Sequence, residues 1–333
     1  MAESPLVSIV IVNWNGSHHL RIALPSLSQQ SYSPLEVLVV DNGSSDESRQ
    51  SVEAAQATWI GLPRNIGLAA ACNEGSRRAR GNYLVFLNND MRFPRDFISF
   101  LTKALIEDEN AFATDARQLN WDGTEEIHLA TRLRKRTLIG SYLRPGFLPL
   151  LDSIQEPSFD PVPVFQACSA AMAVRRNKFE SLNGFDERLP VSWEDTEICW
   201  RAWLRGWPTL FVPEAVCWHR VGGSVRDNPG GAEARFRGIV GGRILFASKH
   251  LPFSYALHTW LVSFLGIVKD MLGTHFHGAS TKMKVMAEYV RALPNLLRER
   301  HRLYHSAAIT PSGHLHRMLG IGHPSSVKHQ QTA

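Results

Sequence analysis

Apolar and polar positions alternate along the first part of the chain in blocks of two kinds. Val7-Ser8-Ile9-Val10-Ile11-Val12 is a β-branched run with the character of a strand buried on both faces of a parallel sheet. Residues 20–30 then carry apolar side chains at helical spacing, and Leu35-Glu36-Val37-Leu38-Val39-Val40 predicts the next strand, completing a βαβ unit. Ser44-Ser45-Asp46 supplies N-cap chemistry for a helix reaching Gln56, followed by a short strand at Thr58-Trp59-Ile60. Leu68-Ala69-Ala70-Ala71-Cys72-Asn73 predicts a small-residue helix able to lie close to a sheet or ligand, and Tyr83-Leu84-Val85-Phe86-Leu87 another strand. The alternation predicts an α/β fold.

Where each apolar run stops, a polar or acidic group follows: Asn13, then Asp41-Asn42-Gly43, then Asn88-Asn89-Asp90. The carboxyl edge of such a sheet is where ligands bind. Further on, Trp193-Glu194-Asp195-Thr196-Glu197 precedes Ile198-Cys199-Trp200-Arg201-Ala202-Trp203, a helical pattern whose first turn is acidic, as the helix dipole favours. Read alone, Asp41 is a turn residue and Glu194-Asp195 a helix start.

At 333 residues, 44% apolar and 20% charged, the chain has room for a large domain with an appendage and an ordinary globular composition. Cys72, Cys168, Cys199 and Cys217 form no CxxC pair and have apolar or aromatic neighbours, which predicts buried thiols rather than disulfides or zinc ligands. No basic region precedes the first apolar stretch, so no signal peptide is expected. The net charge of +5 is unevenly divided: from Ala234 onward there are 13 Lys and Arg against Asp270, Glu288 and Glu299. Two parts with different electrostatic roles follow.

Seven ordered fragments carry a family resemblance over about residues 6–225. They are Val10-Ile11-Val12-Asn13-Trp14-Asn15, Val40-Asp41-Asn42-Gly43-Ser44-Ser45-Asp46, Asn65-Ile66-Gly67 with Asn73, Leu87-Asn88-Asn89-Asp90, Gly184-Phe185-Asp186-Glu187, Trp193-Glu194-Asp195 with Cys199-Trp200-Arg201, and His219. The chain resembles an inverting glycosyltransferase of family 2, with the GT-A nucleotide-diphospho-sugar transferase fold, in its rhamnosyltransferase-like branch. The resemblance implies a nucleoside-diphosphate-sugar donor bound by Asn13, Asp41, Arg64, Asn65, Gly67, Asn73, Asn88 and Asn89. It makes Asp90 a metal ligand, completed by His219, with Mn²⁺ preferred over Mg²⁺ for a site that includes an imidazole. It makes Asp195 the general base, with Glu194 assisting, and gives Asp186 and Trp193 to the acceptor pocket. The leading donor is dTDP-L-rhamnose, with UDP-sugars behind it, and the acceptor is a bacterial surface glycan or a lipid-linked glycan. Asn88 stands where relatives carry the first acid of a DxD motif, and Ser169 where many carry glycine. Both departures lie at the donor's edge.

The implied organisation is a catalytic domain over residues 1–230, with a nucleotide-sugar half at about 6–120 and an acceptor half at about 160–225. A basic helical extension follows over 231–305, then a poorly ordered tail over 306–333. The run Arg132-Leu133-Arg134-Lys135-Arg136 reads as a solvated face or a loop flanking the acceptor cleft. Residues 253–272 are apolar but interrupted by His258 and Lys269-Asp270, too short an uninterrupted stretch for a membrane span. With the basic residues that follow, the extension fits helices on an anionic membrane surface, or a pair packing on the catalytic domain or a second copy in a homodimer. The expected location is the cytoplasm or the inner face of the cell membrane. A nucleotidyltransferase is disfavoured by Asn13-Trp14-Asn15-Gly16 in place of a Gly-rich basic loop. A non-catalytic glycan-binding or scaffolding relative would lack Asp90, Asp195 or His219, all present here. Nucleic acid is not expected as a partner, since no aromatic-interleaved basic motif occurs.

Overall fold

The computed structural model describes residues 4–128, 131–137, 141–147, 160–189, 191–222, 228, 230–273 and 276–320. Its centre is a mixed sheet. The strands β1 (Val7–Asn13), β2 (Leu35–Asp41), β3 (Thr58–Gly61) and β4 (Tyr83–Asn88) run parallel in the order β3-β2-β1-β4. Next come β6 (Ala113–Leu119), β11 (Ala171–Arg175) and β12 (Thr209–His219): β11 lies antiparallel between β4 and β6, and β12 runs parallel to β6. The short β5 (Met91–Arg92) and β10 (Val162–Val164) pair with β12, and β7 (Glu126–His128) pairs with β6. Residues 131–137 and 141–147 form a separate antiparallel two-stranded sheet, β8 and β9. The basic run Arg132 to Arg136 is therefore backbone strand.

The sequence pattern finds its cause in burial. Val7, Ile9, Val10 and Ile11 are all fully buried, as a strand covered on both faces requires. One face meets α1 (Ser17–Ser28) and α4 (Phe97–Glu107); the other meets α3 (Leu68–Arg78), where Gly75 lets the helix approach Val10 and Val40, since a Cβ there would sit 2.4 Å from the Val10 side chain. The helix α2 (Ser48–Ala54) begins later than expected, with Asp46 Oδ1 accepting from the Ser48 amide at 3.1 Å. All four cysteines are free thiols, three of them buried.

After α5 (Arg176–Ser181) and α6 (Glu194–Leu204), the chain forms four more helices: α7 (Gly231–His250), α8 (Phe253–Leu272), α9 (Phe276–Ser306) and α10 (Pro311–Gly320). These pack on the rest of the chain. Trp200 of α6 is fully buried among Phe246, Leu251, Tyr304 and Leu315, and its Nε1 donates to Tyr304 Oη at 2.9 Å. Within the expected poorly ordered tail, residues 311–320 are instead helical: Leu315 and Met318 are apolar side chains that complete the cover over Trp200. Residues 321–333 lie outside the described residues.

Glycines set how closely α7 approaches. A Cβ at Gly238 would stand 2.0 Å from the Val191 carbonyl oxygen, and one at Gly242 would stand 2.5 Å from the Trp193 ring. Helix propensity alone favours alanine over glycine by about 1 kcal/mol. We expect Gly238→Ala to destabilise nonetheless, by about 1–3 kcal/mol, because backbone must shift to admit the methyl. Urea unfolding checks the sign, and a more stable variant would show that α7 sits farther from residues 191–193.

Candidate active site

The carboxyl ends of β1, β2, β4, β6 and β12 lie along one edge of the sheet and bring together most of the residues singled out above. A cavity of about 890 Å³ opens there, walled by Asn42, Arg64 to Leu68, Asn88 to Asp90, Ser169, Val191 to Asp195, His219 and the first turn of α7. Asn13, Asp41 and Asn73 do not wall it. Asn13 and Asp41 brace it instead.

Asp41 is buried, and both its oxygens are engaged: Oδ1 accepts from Asn13 Nδ2 at 3.0 Å, and Oδ2 from the Ser44 amide at 2.9 Å. Asn13 also accepts from Asn89 Nδ2 at 2.7 Å, so one hydrogen-bonded set ties the ends of β1, β2 and β4. Asn42 then reaches into the neighbouring loop, donating to Asn65 Oδ1 at 3.0 Å and accepting from the Ile66 amide at 2.8 Å. That loop turns at Gly67, whose φ of 89° only glycine adopts freely. Asn73 pins a different segment, accepting from the Phe185 amide at 2.9 Å and donating to the Phe185 carbonyl. Asp186 is likewise remote, ion-paired with Arg188 and with Lys249 at 2.9 Å.

On one wall Asp90 and His219 converge. His219 Nε2 lies 3.2 Å from Asp90 Oδ1 and 3.3 Å from Asn88 Nδ2, while its Nδ1 faces Gln118 Oε1 at 2.9 Å. Gln118, from β6, fixes the ring so that Nε2 points at the carboxylate. Burial would raise the Asp90 carboxyl, but the hydrogen bond and charge of His219 outweigh it and hold the group below its ordinary value. Among the described residues no three His, Cys, Asp or Glu side chains gather as a metal cluster. A carboxylate oxygen and an oriented imidazole nitrogen form a partial donor set suited to a divalent ion whose remaining ligands are oxygens of a bound molecule.

The opposite wall is the start of α6. Ser192 and Trp193 both have positive φ, 69° and 74°, an uncommon backbone state for non-glycine residues that must be held by its surroundings. The surroundings are α7: Trp193 packs against Phe246 and over Gly242. This turn aims Glu194 and Asp195 into the cavity together. Asp195 Oδ1 accepts from the Thr196 amide at 2.6 Å and Oδ2 from the Ser169 amide at 3.4 Å. Glu194 Oε1 accepts from Ser169 Oγ at 2.7 Å, whereas the buried Oε2 has no hydrogen-bond partner among the described residues.

Burial raises both carboxyls, and the neighbouring Asp195 charge adds to burial in pushing Glu194 up to about 8. Asp195 is held back by two backbone amides and by the charge of His128. The two carboxyls titrate as a pair, and burial beside the Asp195 charge favours the proton on Glu194. Sequence reasoning missed three supports here. Gln118 orients His219, Ser169 holds Glu194, and the buried Asp115, with the half-buried His128 2.8 Å away, stands behind Asp195. Only Ser169 gave a signal, as a departure from glycine; the others are brought close by β6 and β7 pairing.

Residues 8–182, more than half the chain, match the model of "Glycosyl transferase family 2". The chain is 30% identical over 105 residues to "Glycosyltransferase GlyA" of Streptococcus pneumoniae serotype 4, a match covering 30% of this chain and 15% of that relative. It is 24% identical over 244 residues to "N-acetylglucosaminyl-diphospho-decaprenol L-rhamnosyltransferase" of Mycobacterium tuberculosis, covering 67% of this chain and 79% of the relative. The chain spans well under two thirds of the length of the curated relatives it matches first, 15% to 38%. In fold it is similar to "Mannosyltransferase PcManGT from Pyrobaculum calidifontis in complex with GDP-Man and Mn2+", with a TM-score of 0.54, 19% identity and coverage of 98% of this chain and 88% of the other. The GT-A architecture that the family resemblance implies is thus the one observed, and by the extent of the family match the chain belongs to glycosyl transferase family 2.

Proposed function

We propose that the protein is an inverting glycosyltransferase that moves a sugar from a nucleoside diphosphate onto a hydroxyl of a bacterial surface glycan or lipid-linked glycan. The observation that carries this reading is the pairing, across one cavity, of the Asp90–His219 wall with the Glu194–Asp195 wall. L-rhamnose from dTDP-rhamnose is the leading donor, with UDP-sugars next. The similarity to a mycobacterial rhamnosyltransferase supports it.

In this reading the nucleoside lies against Asn42, Arg64, Asn65 and Gly67, on the loop that Asn42 holds to the strand ends tied by Asn13, Asp41 and Asn89. Asp90 and His219 would hold a divalent cation, Mn²⁺ before Mg²⁺; such an ion, when bound, offsets the charge of the leaving diphosphate. A Mn²⁺ ion named with the fold neighbour supports that preference. Asp195 accepts the proton of the acceptor hydroxyl as that oxygen bonds to the anomeric carbon from the face opposite the diphosphate. The bond from that carbon to the diphosphate oxygen breaks, and its electron pair leaves with the diphosphate. One displacement inverts the configuration. Geometry governs this step, since a carboxylate base needs only hydrogen-bond reach. Protonated Glu194 supplies a donor through Oε2 for an acceptor oxygen beside it. Trp193 forms the rim, and Asp186 supports it from behind through Lys249 of α7.

A thermal-shift panel of UDP, dTDP, GDP and ADP, each with and without Mn²⁺, tests the reading. A ligand at about a hundred times its Kd stabilises the folded state by about 2.7 kcal/mol. The expected result is a Mn²⁺-dependent rise with dTDP or UDP that Asp90→Ala abolishes while leaving the unliganded melting temperature within a few degrees. No shift with any nucleotide would overturn the proposal, and an undiminished Mn²⁺-dependent shift in Asp90→Ala would remove that residue from the metal site.

A further inference from the structure

No described helix is long and apolar enough to cross a membrane, yet α8 presents an apolar stripe to solvent. Phe253, Leu257, Leu261, Phe264, Val268 and Leu272 follow one another at spacings of three or four residues, and all are exposed, from 37% at Val268 to 83% at Leu272. The opposite face, Thr259, Ser263 and Ile267, is buried against the protein. Packing on the catalytic domain therefore uses only one side of α8. The other side is a line of large apolar side chains along the full length of a twenty-residue helix, which a monomer in water has no reason to keep.

Charge indicates what covers it. Lys269 flanks the stripe, and α9 adds Lys284, Arg291 and Arg302; all four are exposed, and none makes an ion pair among the described residues. The chain from Ala234 onward carries a net charge of +10. A second copy meeting this face about a twofold axis would set the same unpaired cations against one another. An anionic bilayer accepts both features at once, the stripe among its acyl chains and the cations among its headgroups.

We propose that the outer face of α8 docks on the anionic surface of a lipid bilayer, with the helix lying in the plane of the membrane. The geometry then positions the cavity. Trp260 Nε1 donates to Ser248 Oγ at 2.9 Å and Arg243 Nη2 to Ser263 Oγ at 3.2 Å, so α7 and α8 run antiparallel from a two-residue connection. Continued along both helices, that pairing brings Met271 level with Arg235, in the turn of α7 that walls the cavity. Phe236 and Ile239, exposed on the same helix, extend apolar surface to that end. Docking through α8 sets the cavity mouth beside the membrane, within reach of an acceptor held there by a lipid. That consequence rests on the transferase reading; the docking itself does not.

Flotation of the full-length protein with phosphatidylcholine vesicles, with and without about a third phosphatidylglycerol, tests it with no donor or acceptor present. The wild type is expected to float with the anionic vesicles, and less so as salt rises from about 0.1 M to about 0.5 M. Leu261→Glu with Phe264→Glu should reduce flotation at least tenfold, and Lys269→Glu with Lys284→Glu should remove its salt dependence, both with unchanged melting temperature and unchanged nucleotide shifts. Hydrogen exchange on the wild type gives a reading free of any variant: anionic vesicles should slow exchange over residues 253–272. Absence of flotation, equal flotation with neutral vesicles, or a dimer in solution that the Leu261→Glu, Phe264→Glu variant splits would each overturn the proposal. Nucleotide binding is read separately, so a failure here leaves the transferase reading standing.

Discussion

Asp195→Asn is expected to lower the rate of sugar transfer by about 10²–10⁴ while leaving nucleotide binding intact. The amide preserves the shape of the side chain and can keep the hydrogen bond from the Thr196 amide to Oδ1, so the start of α6 stays in place. It removes the capacity to take a proton and, at the other atom, the long hydrogen bond from the Ser169 amide at 3.4 Å. The comparison with Glu194→Gln sharpens the assignment, because burial beside the Asp195 charge favours the proton on Glu194, and its Oε2 has no hydrogen-bond partner among the described residues. An amide there can still donate, so a smaller loss, appearing mainly in acceptor KM, is expected. The pH profile carries an independent sign. Burial raises the Asp195 carboxyl, and a base must be ionised, so kcat/KM should fall as pH drops through a point above the ordinary carboxylate range. Near wild-type turnover in Asp195→Asn, or the larger loss in Glu194→Gln, would transfer the role of base to the other carboxyl.

What the sequence made legible were the strands and the identity of residues at their ends. Buried parallel strands announce themselves as unbroken β-branched runs, and β1 to β4 fall where those runs lie. Asp90, His219, Glu194 and Asp195 stand at or beside the ends of elements, and the family resemblance singled them out as candidates. What stayed hidden depends on distance in the chain. Asp41 looks like a ligand at a strand end, yet its oxygens turn inward to Asn13 and Ser44, a partner choice that pattern cannot show. Gln118 and His128 lie on β6 and β7, and β-sheet pairing alone carries them to the site. The largest omission is α7. Glycine weakens a helix by propensity, whereas Gly238 and Gly242 remove a Cβ where the turn at Val191 to Trp193 presses against the helix. A basic helical extension was foreseen; that it holds the acidic turn in a strained backbone was not.

Glu197→Gln should be the most destabilising single change outside the cavity, at about 3–5 kcal/mol in urea unfolding. Glu197 is fully buried three residues into α6, and three cationic or titratable groups converge on it. Arg201 Nη2 donates to Oε2 at 2.6 Å, Lys249 Nζ donates to Oε1 at 2.7 Å, and His250 Nε2 stands 3.0 Å from Oε1. Arg201 also donates to the Gly184 carbonyl, and Lys249 to Asp186, which Arg188 joins to Glu299 of α9. One carboxylate thus ties α6 to α7, and through its neighbours to α9. Removing its charge leaves Lys249 and Arg201 buried without their main counter-charge, a larger cost than losing the hydrogen bonds alone. Replacing Lys249 by Met as well should recover part of the loss, because the double change removes both charges of the pair. The pH dependence follows from the same group. Burial holds Glu197 up, but Arg201 and then Lys249 outweigh it and keep its carboxyl well below the ordinary value, so its contribution is present above about pH 4.5 and is lost as pH falls below. Burial lowers His250 to about 4 and His314 to about 3 from 6.5, so both fold neutral and the unfolded chain binds the extra protons. Between pH 6.5 and pH 4 stability should therefore fall by about 1.4 kcal/mol per pH unit for each imidazole. A Glu197→Gln variant within about 1 kcal/mol of wild type, or a stability that is flat from pH 6.5 to 4, would show that the C-terminal helices are held to the catalytic fold by their apolar contacts alone.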